Sequence, residues 1–341
     1  MRSKSLSYMP ALDGLRAIAV GMVFVVHAFP EGSFPGGLGV DVFFLISGFL
    51  ITRILLKELD RTGGIDLRTF YVKRALRLYP ALLLVCAVFL VAFFVLRRGI
   101  PWEEARFTAI AVTYTSNIWM TVTGEFVGHL THTWSLAMEE QFYVVWPIAF
   151  VLLMRSRLSR RSVAVVVSTV ALASLGGWAV VGSEHAFHPL TKAGGLLVGC
   201  VVAFLVERRP WQHAGLAHAS VAVFTVVLVA ESLGVMTREV SLPVVTLTLP
   251  FLVLHAAFGQ GWLVRALSAR WLIHLGVLSY GLYLWHYPIL SALTSVGVSG
   301  WPGLLIAAAL TYAAAATSFR FVERPVLRLK DRVGQRVVAA S

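Results

Sequence analysis

The most constraining feature of this chain is a succession of apolar runs, each about as long as the 20 or so helical residues that cross a bilayer. They occupy residues 10–29, 37–56, 78–96, 138–154, 163–182, 190–206, 216–234, 243–258, 271–294 and 302–322. Inside hydrocarbon every backbone N–H and C=O must be satisfied within the protein, so such runs are helices. The expected fold is therefore all-α: a polytopic transmembrane helical bundle of about ten spanning helices. An eleventh stretch, 105–123, is apolar but carries Thr108, Thr113, Thr115, Ser116 and Asn117. It is expected to be a re-entrant or peripheral helix. No hydrophilic stretch is long enough to fold alone, so residues 1–341 are expected to form a single integral-membrane domain with a basic tail over 323–341.

Composition agrees. Charged residues make up only 13% and hydrophobic residues 58%, against about 25% charged in soluble domains. That excludes a soluble globular enzyme, and 12% aromatics exclude a disordered chain. Cys86 and Cys200 both lie inside apolar runs, so neither a disulfide framework nor a metal site is implied. Arg2 and Lys4 before the first run imitate a signal peptide, but no convincing small-residue cleavage site follows. The first run reads as a retained span.

The formal charge of +12 would suit nucleic acid on a soluble protein. Here it follows the topology. With the N-terminus in the cytoplasm and 105–123 not crossing, the clusters at Lys57–Arg77, Arg155–Arg161, Arg208–Arg209, Arg265–Arg270 and the tail all fall inside. The exceptions are Arg97, Arg98, Arg106, Lys192 and Arg238 outside, and Arg16 within the membrane. This positive-inside pattern places both termini in the cytoplasm of a bacterial cell membrane and disfavours a nucleic-acid partner.

Ionisable groups inside apolar runs are costly, so each is a candidate functional residue. Arg16 and His27 lie eleven residues apart, which returns to nearly the same helix face about 16 Å further along. Asp13 shares that face and can simply pair with Arg16. Asp41 opens the second run at the depth of His27. It can orient the imidazole and raise its basicity, or serve as a first-turn acid of its own helix. Arg74 and Arg77, one turn apart before the third run, suit a phosphate or pyrophosphate, though plain cytoplasmic anchoring explains them too. The densest polar stretch is His132-Thr133-Trp134-Ser135-Leu136-Ala137-Met138-Glu139-Glu140-Gln141-Phe142-Tyr143, whose two adjacent carboxylates run into an apolar span. In the ninth run Ser279, Tyr283 and His286 share a face. Glu323 closes the last run and reads as a helix-end ion pair. His129, His185, His188, His213, His218, His255 and His274 have no such neighbourhoods, and no metal-ligand spacing, phosphate loop or nucleophile elbow appears.

Taken in order, these residues resemble the membrane-bound acyltransferase 3 family of bacterial O-acyltransferases, from about residue 8 to 325. The resemblance rests on Arg16 and His27, on Gly39-Val40-Asp41 with Phe43-Phe44 and Ser47-Gly48, and on Arg74 and Arg77. It also rests on His132 to Leu136 with Glu139 to Tyr143, on Tyr283-Leu284-Trp285-His286, and on Glu323-Arg324-Pro325. It implies transfer of an acyl group, commonly acetyl from acetyl-CoA, to a hydroxyl of a cell-surface polysaccharide, a lipid-linked sugar or a macrolide. Acyl-CoA would be a co-substrate, with no tightly bound cofactor and no metal.

On that basis the expected roles are as follows. Arg16, Arg74 and Arg77 meet the CoA phosphates. The pantetheine arm spans roughly the Arg16–His27 separation. His27 acts as general base or as a transient acyl carrier, oriented by Asp41 or Glu139. Glu140, His132 and His286 complete the catalytic group, while Trp134, Ser135 and Tyr283 meet substrate or stabilise the oxyanion. The competing reading is a transporter or flippase. It lacks the inverted repeat and paired broken helices typical of secondary transporters. A polyprenyl-sugar glycosyltransferase would want an acidic pair in an early loop, and residues 30–36 hold only Glu31.

Overall fold

The computed structural model describes residues 8–29, 34–97, 102–156, 158–182, 186–206 and 213–328. The expectations placed on Arg2, Lys4, Glu31, Arg98, Arg157, His185, Arg208, Arg209 and the tail from residue 329 lie outside these residues. Among the described residues there is no strand, and eight helices are long and apolar enough to cross a membrane. The chain is a polytopic all-α membrane protein.

The helices are α1 (Pro10–Ala28), α2 (Leu38–Thr62), α3 (Leu67–Arg97), α4 (Trp102–Val112), α5 (Ser116–Thr123), α6 (Thr133–Arg155), α7 (Arg160–Val181), α8 (Pro189–Lys192) and α9 (Gly194–Leu205). After them come α10 (Ala214–Ser232), α11 (Arg238–Phe258), α12 (Trp262–Leu267), α13 (Arg270–Val277), α14 (Ser279–Ser295) and α15 (Gly300–Ser318). A π turn, Phe319–Glu323, continues α15.

Three expectations change. The run 190–206 is not one long helix but α8 followed by α9, and 271–294 divides at Leu278 into α13 and α14. The stretch 105–123 breaks at Thr113–Thr115 into α4 and α5, with Tyr114 at a left-handed φ of 53°. There the Thr113 hydroxyl donates to the Ala109 carbonyl and Thr115 to that of Ile110. Both carbonyls also accept backbone N–H groups, from Thr113 and Thr115 themselves, so the threonine hydroxyls add second bonds where the helix stops.

The chain divides into two compact units. The first joins residues 1–65 to 145–279 and contains α1, α2, the later part of α6 and α7 to α13. Its core is set by close backbone approach. A Cβ on Gly48 of α2 would lie 1.9 Å from the Leu196 carbonyl oxygen of α9, and one on Gly199 of α9 would lie 2.3 Å from that of Leu45. Glycine on both sides of one crossing lets two helices pack by direct backbone contact, the small-residue mode of membrane proteins. The Trp146 indole of α6 donates to Thr52 of α2 at 2.9 Å.

The second unit joins 66–144 to 280–341: α3, α4, α5, the first half of α6, α14 and α15. Asp66 starts α3 by accepting the Thr69 backbone N–H at 3.0 Å, an N-cap bond. Pro80 sits inside α3, which continues through it.

Candidate active site

In the first unit, α1 carries Asp13, Arg16 and His27. Arg16 pairs with Asp13 at 3.5 Å across one turn, so the local pairing anticipated above is present. The His27 Nδ1 lies 2.9 Å from the Val23 carbonyl oxygen. In the neutral ring this makes Nδ1 the N–H donor and leaves the lone pair on Nε2.

Asp41 is a first-turn acid of α2 and is buried. One of its oxygens accepts from Arg238 at 2.6 Å and the other from Lys192 at 3.4 Å. Arg238 reaches on to Glu231 at 3.6 Å. The Lys192 ammonium stands 4.4 Å from the centre of the Trp178 ring, and the Trp178 indole donates to the Arg238 carbonyl at 3.2 Å. One carboxylate thereby ties together helices α2, α7, α8, α10 and α11. Sequence reasoning placed Lys192 and Arg238 as ordinary outer-loop charges. The structure instead makes them the partners of Asp41.

In the second unit, Arg74 and Arg77 are not in a loop. They lie in the second and third turns of α3. The Arg74 guanidinium stands 3.8 Å from the centre of the Tyr143 ring, and the Tyr143 hydroxyl donates to Glu139. Glu140 lies in the fields of both Arg74 and Arg77, with Glu139 beside it. Glu323, which also accepts from Ser318 at 3.0 Å, lies in the field of Arg77. The paired arginines of α3 and the paired carboxylates of α6, separate features in the sequence, therefore belong to one charge cluster. Arg74 is half-buried and Arg77 exposed.

Gln141, one residue on, donates to the Tyr114 carbonyl and to Asn117, both at 2.8 Å. Ser116 bonds Thr133 at 2.8 Å. Ser116 and Asn117, two of the polar residues that made 105–123 a weak span, dock the α4–α5 break onto α6.

A second cluster in this unit joins the start of α6 to α14. The Tyr283 hydroxyl lies 2.5 Å from Ser135 Oγ and donates to the His132 carbonyl at 2.8 Å. His286 Nδ1 bonds the Tyr283 carbonyl at 2.5 Å. The His132 ring stacks on Tyr287 at 5.2 Å and meets the His286 ring edge-on at 5.2 Å. His132, Ser135, Tyr283 and His286 are buried, and Trp134 is half-buried. Sequence spacing missed one neighbour: His129, in the short turn Gly128–Leu130, bonds Ser291 of α14 at 2.5 Å. Among the described residues no group of three or more His, Cys, Asp or Glu is placed to hold a metal ion.

A polytopic helical bundle with basic, acidic and imidazole groups set inside its helices is an integral-membrane architecture with candidate functional groups in its spans. The chain belongs to the acyltransferase 3 family: residues 9–320 match its model, described as an acyltransferase domain. It is similar to the O-acetyltransferase OatA of Staphylococcus aureus strain NCTC 8325 / PS 47, 31% identical over 94% of this chain and 57% of the relative. OatA of strain COL shows the same identity and coverage. The chain thus spans a little over half the length of the curated relatives it matches. No solved structure matches it.

Proposed function

We propose that this domain transfers a short acyl group, acetyl in the first instance, from cytoplasmic acyl-CoA to a hydroxyl of a carbohydrate, lipid-linked sugar or macrolide-type acceptor. It would work in the bacterial cell membrane with both termini in the cytoplasm. The observation that carries the reading is His27. Its Nδ1 is engaged by the Val23 carbonyl of its own helix, so Nε2 is the atom that would accept the hydroxyl proton as oxygen attacks the thioester. Arg16 lies on the same helix, and the pantetheine arm matches the rise between the two. The O-acetyltransferase names of the relatives support an oxygen acceptor.

The charge cluster of the second unit fits an anionic donor. Arg74 and Arg77 are balanced by Glu139 and Glu140 when no phosphate is present, and exposed Arg77 is the one a CoA phosphate would reach first. Asp41 would act as a positioning residue, holding the start of α2 through Lys192 and Arg238. The cluster of Ser135, Tyr283, His132, His286 and Trp134 offers hydroxyl, imidazole and indole groups suited to a hydroxylated acceptor.

The test uses the full chain in detergent with labelled acetyl-CoA. CoA release and label transfer to a glycan acceptor are expected. His27→Ala should abolish both, and Arg77→Ala should raise KM for acetyl-CoA more than it lowers kcat. Unchanged acyl transfer in His27→Ala refutes the reading. An acyl adduct on His27 after acid quench selects the covalent route over direct transfer.

A further inference from the structure

The Asp41 network ends in an ion pair whose geometry leaves part of its hydrogen-bonding capacity open. Arg238 Nη2 donates to Asp41 at 2.6 Å, while Arg238 Nη1 stands 3.6 Å from Glu231 Oε1. That separation holds an ion pair but is too long for a hydrogen bond. Arg238 Nη1 and Glu231 Oε2 are both buried and have no hydrogen-bond partner among the described residues. They are the only guanidinium nitrogen and the only carboxylate oxygen among those residues of which this is true, and they belong to one pair. Leaving a buried charged atom without its hydrogen bond is costly. A donor and an acceptor left so side by side point to a group that completes both.

The pair lies at the same end of the first unit as His27. Glu231 is in the last turn of α10 and Arg238 opens α11. Gly37, just before α2, runs alongside Arg238: a Cβ there would lie 3.4 Å from Nη2. Gly36 packs on the last turns of α1, where a Cβ would lie 2.3 Å from the Met22 carbonyl oxygen and 2.6 Å from the Cβ of Val26, the residue before His27. Two glycines thus form the turn between the imidazole and the ion pair and add no side chain there. The chemistry of the missing group follows from the two atoms. An alcohol oxygen both donates and accepts, so one hydroxyl can give its hydrogen to Glu231 Oε2 and accept from Arg238 Nη1. An ionised phosphate or carboxylate has no hydrogen for Oε2. The charge balance agrees. Lys192 and Arg238 are matched by Asp41 and Glu231, and Lys192 lies in the fields of the other three. Glu239, whose carboxylate faces Gly182, adds only negative charge. An anion would find no spare cation here.

We propose that Glu231 and Arg238 form an anchoring subsite for a second hydroxyl of the acyl acceptor, so that the acceptor is an uncharged carbohydrate and not a simple alcohol or an acidic sugar. This deepens the acyl-transfer reading above and rests on it for the role of His27. His27 takes the proton of the hydroxyl that becomes acylated. The subsite holds a different hydroxyl of the same molecule, which accepts from Arg238 Nη1 and donates to Glu231 Oε2. Asp41 fixes the guanidinium through Nη2 and leaves Nη1 for the ligand. Holding one hydroxyl at the ion pair limits the positions the reacting hydroxyl can take near the imidazole.

The experiment uses the full chain in detergent with labelled acetyl-CoA and three probes that share one alkyl chain: hexyl glucoside, hexyl glucuronide and hexanol. Transfer to the glucoside should exceed transfer to the other two. Glu231→Gln should raise KM for the glucoside about 10- to 100-fold and lower kcat far less, the split expected when a binding contact is lost. Glu231→Asp keeps the charge balance but withdraws the carboxylate, and should show the same split. A parent-like KM in Glu231→Asp overturns the subsite, because the field alone then suffices. Hydrogen exchange supplies a readout that needs no donor. Amides of the turn between α10 and α11, residues 233–237, should be protected by the glucoside and not by hexanol, and the protection should vanish in Glu231→Gln. Protection without CoA release supports the subsite and overturns the acyl-CoA donor. CoA release with no protection and with KM unchanged in Glu231→Gln, the result if an ordered water alone completes the pair, overturns the subsite and leaves the acyl-CoA reading standing. Preference for the glucuronide overturns the uncharged class, and absence of protection overturns the subsite whatever the donor does.

Discussion

Replacing Asp41 with Asn keeps the shape of the side chain and removes its charge, leaving Lys192 and Arg238 facing each other across a buried amide. Lys192 and Asp41 side chains are each 5% exposed and Arg238 19%, so water screens little of the imbalance. At the observed separations of 3.4 Å and 2.6 Å and an effective permittivity of about 20, the two attractions are about 5 and about 6 kcal/mol gross. Desolvation and the mutual repulsion of the two cations offset most of this. What survives when one partner of a buried pair is removed is typically about 3–5 kcal/mol. Asp41→Asn should therefore lower the unfolding free energy by that amount, followed by tryptophan fluorescence during titration from mild detergent into SDS. The decisive control is Asp41→Leu with Lys192→Met. It removes one charge of each sign and leaves Arg238 paired with Glu231, so it should recover most of the lost stability, because an apolar pair of similar volume commonly replaces a buried ion pair at little cost. If Asp41→Asn costs under about 0.5 kcal/mol, or the double variant is no more stable than the single, the network is not what holds these helices.

Three further outcomes follow from individual contacts. Gly48→Ala puts a Cβ 1.9 Å from the Leu196 carbonyl oxygen; because the obstacle is backbone, α2 and α9 must separate, at a cost of about 1–3 kcal/mol or more in the same SDS titration. Tyr283→Phe strips the hydroxyl that meets Ser135 and the His132 carbonyl, and should cost about 1–3 kcal/mol for partners left buried, with faster amide exchange at the start of α6. At the start of α3, the Asp66 carboxyl is held below its usual value of 3.8, first by the Thr69 side chain and then by the Thr69 amide. Its folded pKa is lowered, so its contribution is complete above the unfolded value and is lost as pH falls through the folded one; amide exchange at Thr69, corrected for intrinsic rates, should accelerate below about pH 4 in the parent and show no such pH step in Asp66→Ala.

The helices themselves were legible because hydrocarbon allows a long apolar run almost no other form. Prolines did not mislead: Pro147, Pro243, Pro250 and Pro288 sit inside α6, α11 and α14, where neighbouring helices can satisfy the freed carbonyls. The breaks were harder to see. Leu278 carries no turn residue, and Tyr114 adopts a positive φ that its residue type does not advertise. The Tyr114 break depends on what packs against it, as Gln141 does on the Tyr114 carbonyl. The candidate groups were legible one at a time and not as pairs. Asp41 meets its partners 151 and 197 positions away, and Arg74 meets Tyr143 across two intervening helices. No helical periodicity encodes such distances.

A trace of those partnerships was nevertheless present in the charge pattern. The positive-inside rule counts basic residues as if each faced water or lipid headgroups, so a basic residue on the wrong side is one for which that assumption fails. Five fall on the outer side in the topology expected from sequence. The side chains of Arg97 and Arg98 lie outside those described, and the other three each have a specific partner. Lys192 and Arg238 hold Asp41. Arg106 stands 5.2 Å from the Phe107 ring and 5.3 Å from that of Trp119, within cation–π range. A cation that is neutralised or stacked inside the protein exerts little orienting pull, so the topology tolerates it where a bare charge would be opposed. In a polytopic chain, violations of the charge rule therefore point to the ion pairs and ring contacts that spacing alone conceals. A buried carboxylate such as Asp41 is the natural counter-charge for misplaced cations such as Lys192 and Arg238, and the three sort together on charge and depth even though 151 and 197 positions separate them.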